Sequence, residues 1–112
     1  MKTVFVPLSK EEMNYYINDV NHEMKGDRQV LSEKDFDTLW KSGILNKFYQ
    51  DSDIFIDDYE MTIIEDISDL IFLKKILEDI SIVHYKLFQL GKKILSLVNL
   101  AIERESGMIF FF

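Results

Sequence analysis

Between Asp51 and Asp69 the chain carries eight carboxylates (Asp51, Asp53, Asp57, Asp58, Glu60, Glu65, Asp66 and Asp69) and no lysine or arginine. Carboxylates at this density suggest three chemistries: acid/base catalysis by a pair, cation binding, or contact with a positively charged partner. A catalytic pair needs two carboxyl groups in unlike environments. With 20 acidic residues in the chain, pairs are inevitable and carry no information. A calcium loop of the helix–loop–helix kind needs oxygen ligands at alternate positions, glycine at the sixth and glutamate at the twelfth. Counted from Asp51 those two positions hold Ile56 and Thr62; counted from Asp53 they hold Asp58 and Ile64. Both registers fail.

Other reactive side chains are sparse. His22 precedes Glu23, but the segment lacks the second histidine of a helical two-histidine zinc site. His84 stands alone beside Tyr85, and both histidines read as structural. No cysteine is present, which removes thiol catalysis, disulfides and cysteine-ligated zinc together. The four glycines are scattered singly, so no loop cradles a phosphate, and no Gly-x-Ser-x-Gly elbow occurs. The chain reads as non-enzymatic, with no metal site and no cofactor.

The third chemistry remains. The net charge is −7, and it is distributed unevenly: −1 over residues 1–50, −8 over 51–80 and +2 over 81–112. Contact with nucleic-acid phosphates needs the opposite sign, so the expected partner is a basic protein and not nucleic acid itself. The expected interface comprises Asp53, Asp57, Asp58, Tyr59, Glu60, Glu65 and Asp66. The carboxylates would meet arginine and lysine, and Tyr59 would supply an aromatic anchor. Phe55 and Met61 lie in the same segment. The plainer alternative is a solvated acidic face beside a strand.

These residues need elements to position them. Lys2–Val6 is β-branched and aromatic and ends at Pro7, which cannot donate to a ladder; it is expected as a strand. Ser9-Lys-Glu-Glu12 has capping-box spacing, with Leu8 and Met13 placed as a hydrophobic staple. Met13, Tyr16, Ile17, Val20 and Met24 then predict a helix over 10–25, stopped by Gly26. Ser32 caps a second helix with Phe36, Leu39 and Trp40 on one face, ended by Gly43, and residues 44–50 add further helical turns. A strand is expected at Ile54–Asp57, with 60–65 extending or pairing with it. Helical period returns from Ser68 through Leu70, Leu73, Ile76/Leu77 and Ile80, and breaks near Asp79–Ser81. A long helix follows, carrying Val83, Leu87, Leu90, Ile94, Leu97/Val98 and Ala101. Gly91 inside it costs about 1 kcal/mol against alanine and predicts the close approach of a helix or of backbone. After Ser106-Gly107 come five consecutive large apolar residues, Met108–Phe112. An apolar run without polar alternation is the pattern of a strand covered on both faces.

The expected fold is therefore α+β: one domain over 1–112, with a small sheet of N-terminal, central and C-terminal strands packed under four to five helices. At 47% apolar and 29% charged the composition is globular. No signal-peptide pattern opens the chain, and no apolar run approaches the ~20 residues of a membrane span. A cytoplasmic protein without a membrane partner is expected.

Acidity, single-domain size, the lack of cysteine, "IDDYEM" after the expected apolar strand, and "LVNLAIERESG" running into "MIFFF" resemble small bacterial immunity proteins of polymorphic and contact-dependent growth-inhibition toxin systems. The resemblance implies a cytoplasmic, non-enzymatic protein that binds one cognate toxin domain and blocks its active site or its access to substrate. With the acidic segment, the expected target is a basic, nuclease-type domain, and the protein is expected as a monomer or weak homodimer. No site residue carries over from it. A reading of a different class is a self-associating structural or adaptor domain, with apolar helix faces such as Phe36/Trp40 as the contact.

Overall fold

Ser9 starts the first helix as its spacing dictates: the Ser9 hydroxyl accepts the Glu12 N–H at 3.1 Å. The computed structural model describes residues 2–19 and 21–112. Its elements are β1 (Lys2–Pro7), α1 (Lys10–Asn18), β2 (Gly26–Leu31), α2 (Glu33–Lys41), α3 (Ile44–Ser52), β3 (Met61–Ile64), α4 (Ile67–Glu78), α5 (Tyr85–Arg104) and β4 (Met108–Phe111). The four strands form one antiparallel sheet in the order β2-β1-β4-β3. The class is α+β.

Within the run Met108–Phe112, Met108–Phe111 form a strand, as the composition predicts, and its place explains the composition. β4 lies between β1 and β3, with Phe110 opposite both Val4 and Thr62. Met108 and Phe110 point into the main core with Val4, Val6, Leu31 and Ile64, where Phe48, Leu73, Ile94 and Val98 arrive from α3, α4 and α5. Ile109 points to the opposite face and packs with Phe5 and Met13, bordered by Tyr16, Ile63 and Phe111. Both faces of β4 are covered, one by four helices and the other by α1 together with Met24 from the connection to β2. Burial of each large apolar side chain contributes roughly 1.5–3 kcal/mol.

Three sequence expectations are corrected. The helix placed over 10–25 ends at Asn18, with Val20 outside the described residues. The Asp19 carboxylate accepts the Asn21 N–H at 3.0 Å, a local side-chain turn that competes with helix. Gly26 then opens β2 instead of stopping a helix, and β2 pairs with β1 over its whole length, from Gly26 opposite Pro7 to Leu31 opposite Lys2. The strand expected at Ile54–Asp57 is irregular backbone. Asp53 there is left-handed (φ 64°), and the Ser52 hydroxyl accepts the Ile54 N–H at 3.1 Å, so the chain leaves α3 through a turn. Ile56 reaches the core, while Phe55 stands out against Tyr49 in an edge-on contact. The third predicted strand falls instead at Met61–Ile64, in register with Phe111–Met108. Finally, Val83 lies outside α5 and is 82% exposed; the break after α4 runs to His84.

The other helix expectations stand. Ser32 accepts the Asp35 N–H at 3.1 Å at the start of α2. On α2 Leu39 is buried, Phe36 half-buried and Trp40 exposed. Gly91 permits a close approach, and the neighbour is a side chain: a Cβ there would come within 2.5 Å of Ile80 Cδ1.

Candidate protein-binding surface

The acidic segment follows the chain from the end of α3, around an irregular loop, along β3 and into the first turn of α4. Each expected contact residue is held differently. Asp53 ends α3, its N–H donating to the Tyr49 carbonyl at 2.8 Å, and its carboxylate is exposed. Asp57 is half-buried and accepts the Asp58 N–H at 2.8 Å. Asp58 is half-buried and ion-paired with the Lys2 ammonium. Glu60 and Glu65 flank β3, both exposed. Asp66 caps α4, accepting the Ser68 N–H at 3.3 Å and the Ser68 hydroxyl at 3.1 Å, and its side chain still faces solvent.

Tyr59 is the most exposed large hydrophobic side chain among the described residues, at 89%. Its backbone is left-handed (φ 69°), a conformation that costs a non-glycine residue roughly 1–2 kcal/mol. Two contacts hold it there. The Tyr59 N–H donates to the Phe112 carbonyl at 2.7 Å, and the Lys2 ammonium sits 5.0 Å from the Tyr59 ring centroid. The same ammonium donates to the Phe112 carbonyl at 2.9 Å and lies 4.4 Å from the Phe36 ring centroid. Lys2 therefore ties β1, the loop at 57–59 and the residue after β4 into one junction, and presents an ordered aromatic ring to solvent.

This junction also sorts the seven expected residues. Asp57 and Asp58 are engaged within the molecule, Asp58 with its charge neutralised. Asp53, Tyr59, Glu60, Glu65 and Asp66 are open to a partner. Among the described residues no three carboxylates or imidazoles converge as a metal-binding group. A cavity of about 1040 Å³ adjoins Tyr59, its lining including Lys2, Phe36 and Phe112 together with Glu33, Asp35, Asp37 and Lys93. The acidic character thus continues from the loop onto α2. Sequence reasoning missed Lys2, Phe36 and the Phe112 carbonyl; the Lys2–Asp58 pair spans 56 positions, and no local pattern announces such a contact.

Asp69 sits behind Asp66 in the first turn of α4, and its pKa is raised by partial burial and by the Asp66 charge. The folded chain therefore holds this proton more tightly than the unfolded chain. Its stabilising effect is fully present below the ordinary aspartate range, about pH 4, and is lost as pH rises through the folded-state value. Asp69→Asn is expected to gain in thermal midpoint over the wild type as pH is raised from about 3 to 7. Parallel calorimetric scans of both proteins check this, and a constant difference would refute it.

No helix among the described residues is long and apolar enough to cross a membrane. No protein-family model and no curated protein matches the sequence. In fold the chain is similar to the solved structure of Neisseria DNA mimic protein DMP12, with a TM-score of 0.66 over 99% of this chain and 98% of that one, at 18% sequence identity.

Proposed function

We propose that this protein is a non-enzymatic inhibitory binder that holds a basic protein through the acidic surface of residues 53–66, and so competes for the site where that protein would hold nucleic acid. The observation that carries the reading is the run of exposed carboxylates of Asp53, Glu60, Glu65 and Asp66 on either side of the exposed ring of Tyr59. Its support from comparison is one of fold: a protein of similar fold bears the name DNA mimic, and a surface dense in negative charge is what imitation of a phosphate backbone requires. A nuclease-type toxin is one such basic partner, so the immunity function implied by the sequence resemblance is a special case of the same mechanism. Cytoplasmic action against a cognate toxin is the specific form we favour.

The test uses immobilised wild type and a variant with Asp53→Asn, Glu60→Gln, Glu65→Gln and Asp66→Asn. Asparagine keeps the α4 cap, and the three other sites are exposed, so the variant should fold. Lysate of the source cells is passed over both, and bound protein is challenged with duplex DNA. A basic protein retained by the wild type, lost by the variant and displaced by duplex is the expected result. Retention that survives the four substitutions would remove this surface from the mechanism. Inhibition of a nuclease activity in the retained protein would select the immunity function; retention of further copies of this chain alone would favour the self-associating alternative.

A further inference from the structure

The acidic segment coincides with an open edge of the sheet. In the order β2-β1-β4-β3, β3 has β4 on one side and, among the described residues, no strand on the other. In an antiparallel ladder alternate residues turn their N–H and C=O groups away from the neighbouring strand. Among the described residues, no backbone hydrogen bond outside the β4 ladder engages Met61–Ile64. β3 thus presents a short row of free donors and acceptors, about 13 Å long.

The two sheet edges are guarded differently. β2 carries charge within the strand: Asp27 pairs with Arg104 at 2.7 Å, and the Arg28 guanidinium lies 5.0 Å from the Phe5 ring centroid. Charged side chains on an edge discourage a further strand. β3 reads Met-Thr-Ile-Ile, uncharged throughout, with Glu60 directly before it and Glu65 and Asp66 directly after. Met61 is 45% exposed, and its sulfur accepts the Tyr16 hydroxyl at 3.4 Å.

We propose that β3 is a docking edge for an extended basic segment of the partner, which joins the sheet as a fifth strand. This rests on the reading that the partner is basic, and adds how it is gripped. Main-chain bonds to the outward groups of β3 fix the register. Cationic side chains at the two ends of the added strand meet Glu60 and the Glu65/Asp66 pair, and an apolar side chain between them covers Met61. Such a grip supplies what separated surface charges lack, since exposed ion pairs contribute little each.

Charge also decides against the other obvious occupant, a second copy of this chain. Two β3 edges paired antiparallel would set Glu60 of each copy beside Glu65 and Asp66 of the other, and paired in parallel they would set like ends together. Like charges opposed across a strand pair are destabilising. The carboxylates at both ends therefore reject self-addition and select a cationic strand.

The probe is a synthetic eight-residue peptide of alternating lysine and valine. An equally charged lysine–proline peptide serves as control, because proline cannot donate to a ladder, and a glutamate–valine peptide reverses the charge. Amide hydrogen exchange of the whole chain is followed by NMR. The lysine–valine peptide should slow exchange of the outward amides of Met61–Ile64 by about tenfold or more at saturation, leaving β2 unaffected. The lysine–proline peptide should give no such protection, and the glutamate–valine peptide should not bind. Met61→Lys places a cation on the edge at an exposed site, and should abolish the protection with the fold intact. Protection on β2 instead of β3, or none on either, would overturn strand addition. If both cationic peptides bind equally and the four-carboxylate variant loses both, the acidic-surface function stands and strand addition falls. If neither cationic peptide binds, the function falls with it.

Discussion

Phe110→Ala will destabilise the protein by about 3–5 kcal/mol, the range for emptying a fully buried aromatic site. Phe110 is 1% exposed in a strand with neighbours on both sides, facing the helices. Its ring meets Phe112 edge-on with centroids 5.3 Å apart, and Phe112 in turn meets Phe36 at 5.2 Å. The cavity would therefore open beneath the junction that orders Tyr59 and cannot collapse without moving it. Against a total stability of about 5–15 kcal/mol for a domain, the loss brings the variant near unfolding. Phe111→Ala is the comparison. Phe111 points to the opposite face, where α1 is the cover, and is half-buried; its replacement should cost about 1–2 kcal/mol. Urea unfolding of the two variants gives both values. An equal or larger loss for Phe111→Ala would contradict the assignment of the main core to the Phe110 face.

The same pair of residues shows why β4 was legible in the sequence. A central strand with both faces covered has no polar positions, so composition alone reveals it. Capped helices were legible for a local reason: Ser9 with Glu12 and Ser32 with Asp35 close their own hydrogen bonds within four residues. β2 was not legible. It is an edge strand with Asp27, Arg28 and Gln29 at its centre, and its strand character comes from pairing with β1, which no short window contains. Residues 54–56 misled in the opposite direction. Ile54 and Ile56 are apolar because they turn into the core from a loop, and apolar character by itself does not distinguish a loop that is packed from a strand that is paired. Val83 was placed on a helix by spacing alone; the Asp79–Ser81 break extends past it, and the residue stands in solvent.

Charge was the most readable part of the candidate surface, because it depends on composition and survives any local rearrangement. Which charges are free was not readable. Lys2 neutralises Asp58 from the far end of the chain, and the Asp57 carboxylate is occupied by its neighbour's N–H. The variants that test binding accordingly avoid both, since amides there would disturb the Lys2 junction and confound lost folding with lost contact.

Gly107→Ala should cost about 2–5 kcal/mol, adding the strain of a left-handed alanine to the strain of an overfilled site. The residue sits where α5 turns into β4. Glu105 is already left-handed (φ 54°), and the Ser106 N–H returns to the Ala101 carbonyl at 3.1 Å. Gly107 follows with φ 104°, beyond the range that alanine tolerates comfortably. A Cβ there would stand 2.7 Å from the Ile64 carbonyl oxygen and 2.7 Å from Met13 Cε. The methionine end can swing aside, but the carbonyl belongs to the last residue of β3 and moves only with the strand. Gly43 separates the two contributions. It too is left-handed, with φ 82°, and a Cβ there meets nothing within 4 Å, so Gly43→Ala should cost only the conformational part, about 1–2 kcal/mol. Chemical denaturation of both variants gives the difference, and equal losses would mean that β3 yields freely to the added methyl. The Gly107 variant should also displace the Glu65 end of β3 in amide shifts, because the pressure falls on that edge strand.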